Sequence, residues 1–197
     1  MEAEIVISDA LLEEHRYINV DYGDWSDCTY ESFKDDMNNI GIDVDRMYFS
    51  GFASQGDGAC FEGRVHDWAL FLKSLGYDNK LLVEHAKAHW SFGVKHSGHY
   101  YHENCTHFSG DLALSDGHDK DEFIYNFSPY PEDDLRSQSW YAIIHPFDGD
   151  KLEKEFTEAF KSHMRTLYRQ LEKEYDYQTS DEAVRDTIIA NELHIGE

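Results

Sequence analysis

Histidine is the residue type whose spacing most readily suggests chemistry in this chain. Twelve are present, and the densest run is His85, His89, His96, His99, His102 and His107, with Cys105 among them. Residues four apart on a helix share a face, so His85 and His89 would offer two imidazoles side by side. A third or fourth nitrogen or sulfur ligand from the following strand would complete a zinc tetrahedron. The segment reads His85-Ala86-Lys87-Ala88-His89, however, and lacks the glutamate base of an HExxH metalloprotease. Histidines on the surface or hydrogen-bonded in the core are the competing explanation. The expectation is therefore no metal and no cofactor, with His85, His89, His99, His102 and Cys105 as the residues to watch.

Two other features invite a catalytic interpretation. The stretch Ser50-Gly51-Phe52-Ala53-Ser54-Gln55-Gly56-Asp57-Gly58-Ala59-Cys60 is neither a G-x-S-x-G elbow nor a phosphate loop, because no Lys-Ser/Thr follows the glycines. Asp57 would oppose a bound phosphate and suits a turn instead. Cys60, beside Phe61, fits a buried and inert thiol better than a nucleophile. Carboxylates that alternate along a strand, such as Asp43 and Asp45, are unavoidable in so acidic a chain. No catalytic residue is assigned, and a non-enzymatic role is expected.

Charge is the strongest signal. Forty acidic against 17 basic residues give a formal net charge of −23 over 197 residues. Such a chain repels nucleic acid and anionic membranes and attracts basic proteins. No basic stripe with interleaved aromatics and no EF-hand ligand ladder appears. Direct nucleic-acid binding is therefore not expected. The acids come in blocks, with Asp27, Glu31, Asp35 and Asp36 in one and Glu132, Asp133 and Asp134 in another. Cys28, Cys60 and Cys105 are odd in number and widely spaced, which argues for a reducing compartment. With no leader and no apolar run of about 18 residues, the expectation is a cytoplasmic protein with no membrane association.

Positioning these residues calls for an α+β fold in a single compact domain, 1–197. Tyr30, Phe33, Met37 and Ile40 predict a helix over 26–40, ended by Gly41. A strand over 42–49 returns through the glycine loop into 60–65. Helices over 66–75 and 79–90 follow, with inner stripes Trp68, Phe71, Leu72 and Leu81, Leu82, His85, His89. Further antiparallel strands are expected in 90–114, at 123–127 and around 140–144. Leu152, Phe156, Phe160, Met164, Leu167 and Leu171 mark a long amphipathic helix over 149–175. Thr179 and Glu182 have capping-box spacing for one more helix. An antiparallel sheet with helices mainly on one face is the economical assembly.

The run from Tyr48 to Gly63, with its SGFxSQGDGACFEG pattern, and the run from Leu167 to Val184, LYRQLEKEYDYxTSDEAV, together resemble a family of small bacteriophage and mobile-element proteins. Its members are loosely labelled as antitoxins of a toxin–antitoxin stability system. The resemblance implies a phage-encoded protein in the host cytoplasm. Combined with the charge, it suggests an acidic inhibitor, a DNA mimic that acts in anti-restriction or anti-CRISPR fashion by blocking a host defence nuclease. The expected partner is a basic, nucleic-acid-handling host protein, contacted by Asp27, Glu31, Asp35, Asp36, Glu132, Asp133 and Asp134. The first alternative is an antitoxin-like protein that neutralises a cognate toxin, and the second is a His/Cys metal-dependent enzyme.

Overall fold

The computed structural model describes residues 7–112 and 148–193. The strands expected at 123–127 and around 140–144, and the acidic loop Glu132, Asp133 and Asp134, lie outside the described residues. The fold is α+β. The chain divides into two units, Met1–Phe33 with Thr166–Glu197, and Lys34–Arg165. Two helices, α2 (Asp27–Asn39) and α5 (Gly149–Gln178), supply residues to both.

The second unit is built on a four-stranded antiparallel meander, β1 (Ile42–Phe49), β2 (Ala59–Val65), β3 (Ser91–His96) and β4 (Thr106–Asp111), in the order β1-β2-β3-β4. The register pairs Ile42 with Val65 and Phe49 with Ala59, with a bulge between Val44 and Arg46. Charges also match across the strands. Asp43 sits opposite Arg64, their side chains 3.5 Å apart, and Arg46 sits opposite Glu62. Opposed charges facing one another across an antiparallel pair favour this register.

Aromatic rings hold helices to this sheet. Phe61 of β2 stacks on Phe160 of α5 with centroids 5.7 Å apart, while Phe92 of β3 meets Phe156 and Phe160 edge-on at 5.6 and 5.5 Å. Phe108 of β4 reaches Phe160 at 6.1 Å. From α3 (Trp68–Ser74), Phe71 meets Phe156 and Phe160 at 5.1 and 5.8 Å. Phe61, Phe71, Phe156 and Phe160 are fully buried. Each contributes a large apolar area and ring pairs in the favoured offset and T-shaped geometries.

Local signals fix the helix boundaries. Asp67 caps α3, accepting from the amides of Ala69 and Leu70, and Asn79 caps α4 (Lys80–His89), accepting from those of Leu81 and Leu82. The Gly41 carbonyl accepts from the amides of His66 and Asp67 at 2.9 and 3.2 Å, so the end of α2 meets the start of α3. The Tyr77 hydroxyl donates to Glu155 at 2.8 Å and ties the α3–α4 connection to α5. The α4 stripe is narrower than the sequence suggests. Leu82, His85 and Ala86 are buried, but His89 at the last turn is exposed and Leu81 is half-buried.

In the first unit a short helix, α1 (Asp9–Glu14), is capped by Ser8 and packs Leu11 and Leu12 with Ile7, Val184 and Ile188. Its partner is α6 (Asp181–Ala190). Ser180, rather than Thr179, is the α6 cap, accepting from Ala183. The Thr179 hydroxyl donates to the Tyr175 carbonyl at 2.9 Å and so belongs to the end of α5. Arg16 binds Glu13, Asp181 and the Thr179 carbonyl, and Asn19 donates to the Gln178 carbonyl and accepts from the Thr187 hydroxyl.

Two outcomes are expected. Phe160→Ala removes the ring that Phe61, Phe71, Phe92 and Phe108 share, and should cost about 3–5 kcal/mol in urea denaturation. Burial holds the His163 imidazole below its ordinary pKa of 6.5. The folded chain therefore resists a proton that the unfolded chain accepts. This contribution to stability is present above pH 6.5 and is lost as pH falls through it. His163→Gln should flatten that part of the stability–pH curve in paired denaturation series.

Candidate functional site

Phe33 and Met37 bury one side of α2 and leave its other side to polar residues. Asp27, Glu31, Asp35 and Asp36 are all exposed, with Lys34 among them. From Asp27 to Asp36 the axial rise is about 13.5 Å at 1.5 Å per residue. Asp27, Glu31 and Asp35 follow at four-residue steps, about 6 Å apart along the axis, with Lys34 on the same side and Asp36 about 100° further round the helix than Asp35. These four of the seven expected contact residues are brought together by a single helix. Glu132, Asp133 and Asp134 lie outside the described residues.

The glycine-rich motif forms a self-locked loop between β1 and β2. The Asp57 carboxylate accepts from the amides of Ala53 and Ser54 at 2.8 and 2.6 Å, and the Asp57 amide donates to the Ser54 carbonyl at 3.1 Å. The Ser50 amide donates to the Gly58 carbonyl at 3.1 Å, and the Ser50 hydroxyl accepts from the Gly58 amide at 3.3 Å. Asp57 is thus a turn former, with its acceptor capacity directed at backbone amides.

This loop packs against the histidine-rich β3–β4 connection. A side chain at Gly56 would meet the Tyr100 ring at 3.2 Å, and one at Gly58 would meet the Tyr101 carbonyl at 2.9 Å. Gly56 has φ +101°, whereas Gly58 is required by proximity and not by a left-handed backbone. Beside them Tyr101 stacks on Tyr48 at 5.1 Å, and His96 lies 5.1 Å from Tyr101. The connection is anchored to α5: Glu103 pairs with Arg165 at 3.7 Å, and Lys161 donates to Asn104 at 3.1 Å.

The histidines are thereby given separate duties. His85 is buried against Trp90 and His89, with ring centroids 5.7 and 4.9 Å away. His99 lies against Tyr100 at 5.0 Å. His102 Nδ1 accepts from the Asn104 amide at 3.1 Å and lies 3.0 Å from a Glu103 carboxylate oxygen. Cys105 is held by its backbone, its amide donating to the His102 carbonyl and its carbonyl accepting from Ser97. Among the described residues, no three His, Cys, Asp or Glu side chains converge in a way that would hold a metal ion. Cys60 is fully buried, and burial pushes its thiol pKa up to about 12. A thiol so disposed does not serve as a nucleophile at neutral pH.

A second surface carries no periodic signal in the sequence. Tyr17 and Tyr22 are 55% and 78% exposed, and Trp25 meets Tyr175 edge-on at 5.8 Å. The first three rings are interleaved with Asp21, Asp24 and Asp27, and no basic residue occurs from 17 to 27.

The fold and its exposed carboxylates define a strongly acidic α+β protein whose described residues include no helix long and apolar enough to cross a membrane. A family model described as a domain of unknown function, DUF8835, matches residues 25–181, and the chain belongs to that family. No curated protein and no solved structure matches it. The matched span includes α2, the whole glycine loop and the β3–β4 connection.

Two further outcomes follow from this geometry. With a thiol reagent on the native protein, exposed Cys28 should react first and Cys60 only on unfolding. Ala substitution at Gly58 should cost about 1–3 kcal/mol by overpacking, and Gly56→Ala a similar amount through backbone strain. Thermal melts compared with wild type check both substitutions.

Proposed function

We propose that this protein is a phage- or mobile-element-encoded acidic binding protein that occupies the basic groove of a host nucleic-acid-handling protein, such as a restriction or CRISPR nuclease. The exposed carboxylate row on α2 carries this reading. Its carboxylates step along a helix whose buried side is anchored by Phe33 and Met37, which fixes their spacing. Preorganised carboxylates need not be ordered on binding, which lowers the cost of association. Attraction to a positive groove speeds encounter and is screened by salt. The resemblance of the two motifs to phage and mobile-element proteins supplies the host-cell setting.

An antitoxin-like role is the second reading, favoured by the exposed rings of Tyr17 and Tyr22, which suit an apolar anchor. The two readings differ in salt response. The test is capture of partners from host lysate at low and high salt by wild type and by a variant with Asp27→Asn, Glu31→Gln, Asp35→Asn and Asp36→Asn. A basic DNA-handling partner that is lost in high salt, and bound at least about tenfold more weakly by the variant, is the expected result. A partner retained equally by both proteins in high salt would replace the decoy role with the antitoxin-like one.

A further inference from the structure

The segment from Tyr17 to Asp27 is wrapped on the end of α5 by contacts that leave Tyr17 and Tyr22 at the surface and Trp25 half-buried. Asn19 donates to the Gln178 carbonyl at 3.0 Å, and Trp25 meets Tyr175. The backbone turns tightly between them, the amides of Val20 and Asp21 both donating to the Tyr17 carbonyl at 2.9 Å before the 3-10 turn Gly23–Ser26. Tyr175 has its pKa raised by burial and by the nearness of Tyr17 and Asp176, which places Tyr17 in the same neighbourhood. Tyr22 stands 78% exposed, with Asp21, Gly23 and Asp24 around it also exposed.

Exposed tyrosines beside exposed carboxylates select a particular ligand chemistry. A purely apolar partner would strip water from Asp21, Asp24 and Asp27 and give them nothing in return, at a penalty in binding. Lysine would satisfy the carboxylates but holds its water tightly. Arginine satisfies the carboxylates through its fork of donors and also lays a planar, weakly hydrated cation on a ring. Three acids and three aromatic rings within residues 17–27, with no Lys or Arg among them, complement such a segment in both charge and shape.

We propose that the surface formed by Tyr17, Tyr22 and Trp25 with Asp21, Asp24 and Asp27 docks an arginine-rich segment of the basic partner. This inference rests on the basic-partner reading and adds an aromatic anchor to the charge of α2. It gives the complex an attraction that survives salt better than carboxylates alone, because ring stacking is less screened than exposed ion pairs.

The test is calorimetric titration of the full chain with two synthetic probes, a decaarginine and a decalysine peptide. The variants are Tyr22→Ala, Tyr17→Ala and a double Asp35→Asn/Asp36→Asn variant. Decaarginine should bind more tightly than decalysine. Each tyrosine variant should lose about 2- to 5-fold in arginine binding and erase much of the arginine preference. The aspartate variant should weaken both peptides alike. Tyr22 is so exposed that its replacement leaves folding intact, which keeps the result interpretable if Tyr17→Ala destabilises the chain.

Equal binding of the two peptides, unchanged by Tyr22→Ala but weakened by the aspartate variant, would overturn the aromatic anchor and leave the basic-partner reading standing. Binding of neither peptide at low salt would sink both. A dimer in sedimentation that Tyr22→Ala converts to monomer would assign this surface to a second copy of the chain and overturn the proposal.

Discussion

The second unit depends on one constraint, the closure of Phe156 and Phe160 of α5 against the phenylalanines of three sheet strands. Those two rings also receive Phe71 from α3, so strands and helices share a single aromatic junction. The β1–β2 and β3–β4 connections meet at a distance from this junction, and their spacing depends on the strands being held in register by it. Glycine at 58 can approach the Tyr101 carbonyl because both chains leave the sheet at fixed positions. The loop's own hydrogen bonds then determine its shape.

Acidity is arranged differently on different elements. On the sheet, Asp43 is matched by Arg64 and Glu62 lies opposite Arg46, so much of that charge is compensated locally. Around Arg165, Glu103 and Glu158 share one guanidinium. On α2 the exposed carboxylates have Lys34 as the basic residue of the helix. Among the described residues, therefore, some acids are paired within the fold and others stand exposed. Exposed ion pairs contribute little individually, so the compensated ones matter more for register and loop placement than for overall stability.

The longest elements were legible because their periods are unambiguous. The alternation and apolar run from Ile42 to Phe49 and the three-and-four spacing through α5 correspond to the observed β1 and helix. The inner stripes around Trp68, Phe71 and Leu72 and around Leu82 and His85 announced α3 and α4, whose caps Asp67 and Asn79 went unread, and α1 went unread because six residues with one apolar pair carry no period. His89 looked like a core residue from its spacing with His85, yet the helix ends beneath it. Thr179 and Ser180 are both competent caps, and the choice between them was made by the Tyr175 carbonyl, a feature of the preceding helix. The acidic row of α2 was readable from one segment. The aromatic surface was not, since Tyr175 joins Trp25 across a sequence separation of 150 residues, which no local pattern encodes.

The bulge between Val44 and Arg46 lies on β1, which ends the strand order of the described sheet. A terminal strand is ordinarily an invitation to pair with a neighbouring molecule, through its row of free amides and carbonyls. Here Asp43, Asp45 and Arg46 line that strand, and the extra residue breaks the even ladder a neighbour would need. Self-recognition by strand addition is discouraged at its most exposed point. The same carboxylate-rich composition that sets the net charge thus also guards this strand against edge-to-edge pairing.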